Sequence, residues 1–249
     1  MTSFVSLIET HAAAEKVYDG IISIPSGWQI DSTFGDGGER QRPAGGYVYA
    51  LKPVDDTDDR RMLVFRGTEV MVSNVKDLFA DVTDIGGTQF NELRTGVNQW
   101  LAQQLVDGNR VELVGHSLGG ALVQWAINDT NMRDDNLTNG LTSVLEIART
   151  LPDPTTGLPN SAFQINPTLL HFTTFNAPGI THVLGSTSPA TDRTSIIIGE
   201  HHVVIGDPPI IQGDPIHLLG GPQVGGTGTQ LIGHHVDFAN IGNNGIFTH

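Results

Sequence analysis

Apolar positions recur along this chain with two different periods. Phe4, Leu7, Ile8, Ala12 and Val17 fall at helical spacing and predict a helix over residues 3–18. From residue 28 to 68 the pattern changes to short apolar runs between Gly, Pro and Asp clusters. Strands are predicted over 28–34, 46–51 and 61–65, with turns at 35–38 and 53–59. A short amphipathic helix follows over 74–82 and a longer one over 90–106. The run Val111-Glu112-Leu113-Val114 predicts a strand, and residues 118–128 a helix that is apolar on most faces. Residues 131–167 form a polar excursion with one helical piece over 141–149, read as an insertion at the rim of the fold. A buried strand is predicted over 169–175 and a further strand region over 195–198 and 202–205, after which the chain is glycine-rich and loop-heavy. The alternation predicts an α/β fold, with a central, mostly parallel sheet and helices on both faces. No repeat and no shift in composition divides it, so residues 1–249 are expected to form a single domain.

Charge narrows the partners. Thirteen Lys and Arg against 27 Asp and Glu give a net charge of −14, spread along the chain. Such a surface repels nucleic acid and anionic membranes. The acidic run Asp55–Asp59 lacks the spaced ligands of a calcium loop and reads as a solvated hairpin turn. There is no cysteine, which excludes disulfides and thiolate metal sites. The N-terminus carries no basic, apolar leader and no stretch approaches a transmembrane span. A cytoplasmic protein is the default expectation, with export by a signal-peptide-independent route as the alternative.

The candidate chemistry centres on Gly115-His116-Ser117-Leu118-Gly119-Gly120, between the predicted strand and the apolar helix. Strand, sharp turn with a serine at its apex, then helix is the layout of a nucleophile elbow. Glycines at 115 and 119 permit the tight backbone, and the helix N-terminus beside the serine suits an oxyanion. A serine hydroxyl needs a base, and the base an orienting acid. In this layout both follow the serine in the chain. Asp207 stands just past the run His202–Ile205 and ahead of two prolines; Asp192, Asp214 and Asp237 are weaker candidates. Among the histidines, His171 reads as a sheet residue, and His201 and His202 precede the acid. His217, His234 and His235 follow it, and a late loop histidine is the expected base. His116 is expected to face the packing behind the elbow. The histidines show no H-E-x-x-H spacing, so no metal centre is expected.

Together, Val64-Phe65-Arg66-Gly67-Thr68, the Gly115–Gly120 segment and Thr174-Phe175-Asn176-Ala177-Pro178-Gly179 resemble the class 3 lipases, the fungal triacylglycerol lipase type. The resemblance covers residues 46–240. His234-His235-Val236-Asp237-Phe238 is similar to a segment of bacterial members. The resemblance implies an α/β-hydrolase fold with Ser117 as nucleophile, Asp207 as acid and His234 as base. The doubled histidine leaves His235 as the alternative. It further implies Thr68 and the Leu118 N–H as oxyanion donors, and a lid over residues 69–82, where Leu78 replaces the family's usual tryptophan. The function implied is a lipase or esterase acting on lipid or small ester substrates through an acyl-enzyme. It needs no cofactor and makes at most transient contact with a lipid interface. A phospholipase A1 on the same scaffold and a non-catalytic binding protein of this fold are the rival readings.

Overall fold

The structure, a computed structural model, describes residues 5, 10, 24–35, 39–41, 47–67, 86–131, 144–180, 198–205 and 230–235. Among these, eight strands form one sheet: β1 (Trp28–Ile30), β2 (Glu39–Gln41), β3 (Tyr47–Pro53), β4 (Arg60–Arg66), β5 (Arg110–His116), β6 (Leu170–Phe175), β7 (Ile198–Ile205) and β8 (Gln230–His235). Across the sheet the order is β1-β3-β4-β5-β6-β7-β8, with β2 also pairing β3. β1, β2 and β4 pair antiparallel to β3, whereas β4 through β8 run parallel in serial order. The carboxyl ends of all five parallel strands therefore share one edge.

Serial order has a consequence for the helices. Right-handed crossovers that always step in the same direction deposit their helices on the same face. Three described helices, α1 (Gly87–Val106), α2 (Leu118–Asn131) and α3 (Val144–Thr150), follow β4 or β5 and contact one another. Their apolar sides share a core with Val48, Ala50, Leu63, Phe65, Val111, Leu113, Leu170 and Phe172 of the sheet. The alternate strand residues Tyr49, Leu51, Met62, Val64, Val114 and Phe175 form a second core on the opposite face, with Trp28 and Val5. Thr10, in helical conformation, is also fully buried. Both faces are thus covered, and β5 from Val111 onward and all of β6 are buried.

α1 buries Phe90, Leu93, Val97, Leu101 and Leu105, one stripe at helical spacing. α2 is buried on nearly every side from Ala121 to Ile127, save for Trp125, because the sheet, α1 and α3 surround it. Within the predicted rim insertion, α3 belongs to the main core through Val144 and Ala148.

Three departures from the predicted elements have local causes. β1 stops at Ile30 because the Asp31 carboxylate accepts from the backbone and hydroxyl of Thr33, turning the chain. Ile198 and the run predicted at 202–205 belong to one continuous strand, β7, while residues 195–197 lie outside the described residues; at its Gly199 a side chain would collide with the Phe172 ring. The histidines at 234 and 235 end a strand instead of lying in a loop, since β8 pairs with β7 over Glu200–Ile205. The acidic turn behaves as predicted. It joins the antiparallel strands β3 and β4, and the Asp55 carboxylate accepts from Thr57. The predicted helices over 3–18 and 74–82 and the lid over 69–82 lie outside the described residues, apart from Val5 and Thr10.

Candidate active site

β5 ends at His116 and α2 begins at Leu118, so the whole reversal is made by Ser117. Its φ is 53°, a left-handed conformation that costs a non-glycine residue about 1–3 kcal/mol. The turn is fastened by its backbone. Ser117 N–H donates to the Phe175 carbonyl at 2.9 Å, and Gly120 N–H donates to the Ser117 carbonyl at 2.9 Å. The glycines are required sterically. A Cβ on Gly115 would strike the backbone of Gly119. One on Gly119 would strike the Phe65 carbonyl oxygen and lie 2.9 Å from the Gly67 nitrogen. One on Gly120 would collide with the Ala177 methyl. The elbow is therefore wedged between the ends of β4 and β6, and the Gly67 turn lies against it.

Ser117 and Leu118 are half-buried, whereas His116 is buried, as its place behind the elbow requires. The N-terminus of α2 starts at the serine, so its partial positive charge and first amides stand next to that residue. Across the elbow, Asn176 also has positive φ, 45°, and donates its N–H to the His202 carbonyl at 2.8 Å. The ends of β5 and β6 are thus linked to each other, and the residue after β6 is tied to the middle of β7. Phe175 and His202 stack at 5.3 Å on the face away from the helices.

The other predicted site residues divide into two groups. Thr68 and Asp207 lie outside the described residues. His234 and His235 are in register with Val204 and Ile205, at the end of β8. The parallel sheet brings these histidines to the edge where Ser117 sits. β8 stands three strands from β5, a backbone separation of roughly 14 Å at the usual strand spacing. His171 is a sheet residue, as expected. Its Nδ1 lies 2.9 Å from Glu112 Oε1, which also accepts from the Thr173 hydroxyl at 2.7 Å. Both ionisable partners are buried. His201 is likewise within the sheet, with Nδ1 2.7 Å from the Thr174 hydroxyl.

Sequence reasoning missed Gln124. Its Nε2 donates to the Pro178 carbonyl at 2.7 Å from a fully buried position in α2. A glutamine inside an otherwise apolar helix was the available signal. A strand–elbow–helix on the parallel part of a mixed sheet, with later parallel strands ending at the same edge, is an α/β-hydrolase-type arrangement.

No family model and no curated protein matches the chain. Among solved structures it is similar to lipase II from Rhizopus niveus, at 18% identity and a TM-score of 0.45, over 80% of this chain and 68% of that one. It is similar to a triacylglycerol lipase from Penicillium expansum at 14% identity and a TM-score of 0.43, over 88% and 75%. For the Rhizomucor miehei lipase propeptide complex the values are 16% and 0.42, and the chain spans 64% of that protein's length. These values describe a distant likeness, and the functional reading rests on the elbow itself.

Proposed function

We propose that the protein is a serine hydrolase of carboxylic esters, of the triacylglycerol lipase or esterase type. The observation that supports this best is Ser117 held at φ 53° by glycines that no other residue could replace without collision. Strain of this kind at a polar residue beside a helix N-terminus points to a functional turn.

In this reading His234 takes the Ser117 proton as the hydroxyl oxygen attacks the ester carbonyl, and Asp207 orients and stabilises the imidazolium. The carbonyl oxygen becomes an oxyanion, held by the N–H groups of Thr68 and Leu118, each worth of order 10²–10³ in rate. The tetrahedral intermediate collapses, the C–O bond to the alcohol breaks, and the alcohol leaves with the proton from His234. Water then attacks the acyl-enzyme, giving its proton to the same histidine, and the carboxylic acid is released as Ser117 regains its proton. His235 takes the place of His234 if the neighbouring position proves essential. The segment 69–82 acts as a lid that contacts lipid transiently.

The test is hydrolysis of p-nitrophenyl esters from acetate to palmitate by the wild type and Ser117→Ala, with His234→Ala and His235→Ala beside them. Turnover that drops by three or more orders of magnitude in Ser117→Ala and in one histidine variant supports the reading. The chain-length optimum then separates esterase from lipase. Full activity in Ser117→Ala, or no turnover of any ester by the wild type, overturns it.

A further inference from the structure

We propose that Gln124 is a positioning residue for Ser117, acting through the segment Asn176–Ile180; this rests on the hydrolase reading above. An amide is costly to bury unless it is hydrogen-bonded, and Gln124 is fully buried between the apolar residues Ala121–Val123 and Trp125–Ile127 of its helix. Its Nε2 donates to the Pro178 carbonyl at 2.7 Å, against 3.5 Å to the Gly120 carbonyl of its own helix. The shorter bond joins residues 54 positions apart, so it ties α2 to the loop after β6.

The end of β6 and that loop meet the elbow and the first turns of α2 through three contacts that bear on Ser117. The Phe175 carbonyl receives the Ser117 N–H, Ala177 lies against Gly120, and the Pro178 carbonyl receives Gln124. The first is a backbone contact and the second a steric fit. The third is made by a side chain, and it sets how closely the loop is drawn onto the first turns of α2. Asn176, between these points, hangs by its N–H from the His202 carbonyl of β7. Any shift of the loop is passed to Ser117 through Phe175 and to β7 through Asn176. Nucleophile placement within a fraction of an ångström governs the attack step, and a misplacement of about 1 Å can cost 10²-fold.

Gln124→Met keeps the length and apolar stem of the side chain and deletes the donor; Gln124→Leu deletes it with a branched stem. Both are assayed on p-nitrophenyl butyrate, with active sites counted by stoichiometric labelling with a fluorophosphonate, so that turnover is expressed per competent serine. The expected result is a fall in kcat of about ten- to a hundredfold per labelled site with KM within about threefold. A purely structural role lowers the labelled fraction and leaves kcat per labelled site unchanged. That outcome in either variant overturns the proposal, as does failure of both to fold, since the amide then serves the core and not the serine. A wild type that neither labels nor hydrolyses the ester refutes the hydrolase reading instead.

Discussion

Gly120→Ala probes the contact that seats the elbow on the loop after β6. The substitution has an intrinsic benefit, because alanine favours a helix by about 0.8–1 kcal/mol over glycine. Against it stands the collision of the new methyl with the Ala177 methyl, and the Ala177 Cα and the Gly115 carbonyl oxygen both lie at 3.3 Å. With backbone on two sides there is little room to yield, so over-packing of about 1–3 kcal/mol applies. The net expectation is a loss of up to about 2 kcal/mol, or up to about 8 °C in Tm for a chain of this size. Ala177→Gly alone removes a fully buried methyl and costs about 1 kcal/mol. Combined, the methyl introduced at 120 takes the space vacated at 177, and the double variant recovers about 1–2 kcal/mol relative to the sum of the singles. Urea unfolding followed by tryptophan fluorescence measures all four corners of the cycle. Additive effects, with no coupling between the two sites, would show that the elbow and the loop are not in contact at this point.

Other substitutions test other parts of the account. Ser117→Gly removes the left-handed strain and raises stability by about 1 kcal/mol in the same unfolding assay, while abolishing ester hydrolysis; an unchanged midpoint contradicts the strain. Glu112→Leu strips the acceptor from two buried partners, His171 and Thr173, and lowers stability by about 2–6 kcal/mol. Replacing all three by apolar residues of similar volume is expected to cost less, and a triple variant worse than the single refutes this. Asp58 is held below the usual aspartate range by its side-chain hydrogen bond to Arg60, which outweighs desolvation. Its contribution is therefore full above about pH 4 and is lost as pH falls through its lowered value. For a half-buried pair at the surface it amounts to less than about 1 kcal/mol, and Asp58→Asn removes that acid-dependent part of the stability curve. Identical curves for the variant and the wild type in that range contradict it.

What was legible in the sequence depended on how local the cause was. The elbow could be read because the Gly115–Gly119 clash and the reversal at Ser117 lie within five residues, on a pattern whose apolar strand and helix have clear periods. The sheet character of His171 followed from the apolar residues around it. Its partner Glu112 did not, since the pairing is made by the register of two strands 59 positions apart. β8 was read as loop because Gly233 and two histidines interrupt its apolar pattern, and its strand character comes from pairing with β7. The split predicted in β7 has the same origin. Gly199 and Glu200 look like a break until the Phe172 ring is seen to occupy the space over Gly199. The third contact of the elbow loop was hidden because nothing near Gln124 in the sequence announces a carbonyl at Pro178.

Chain order and sheet order coincide from β4 to β8, and this bears on how activity arises in time. Each parallel strand leaves the ribosome after the neighbour it pairs with on the β4 side. The nucleophile turn acquires its backbone anchor when β6 docks, since Phe175 supplies it. The strand carrying His234 and His235 comes last among the described strands in both chain and sheet order. A nascent chain thus carries Ser117 and Phe175 before its proposed proton acceptor has been synthesised. On the proposed mechanism, a chain stalled before β8 lacks its proton acceptor and stays silent towards esters.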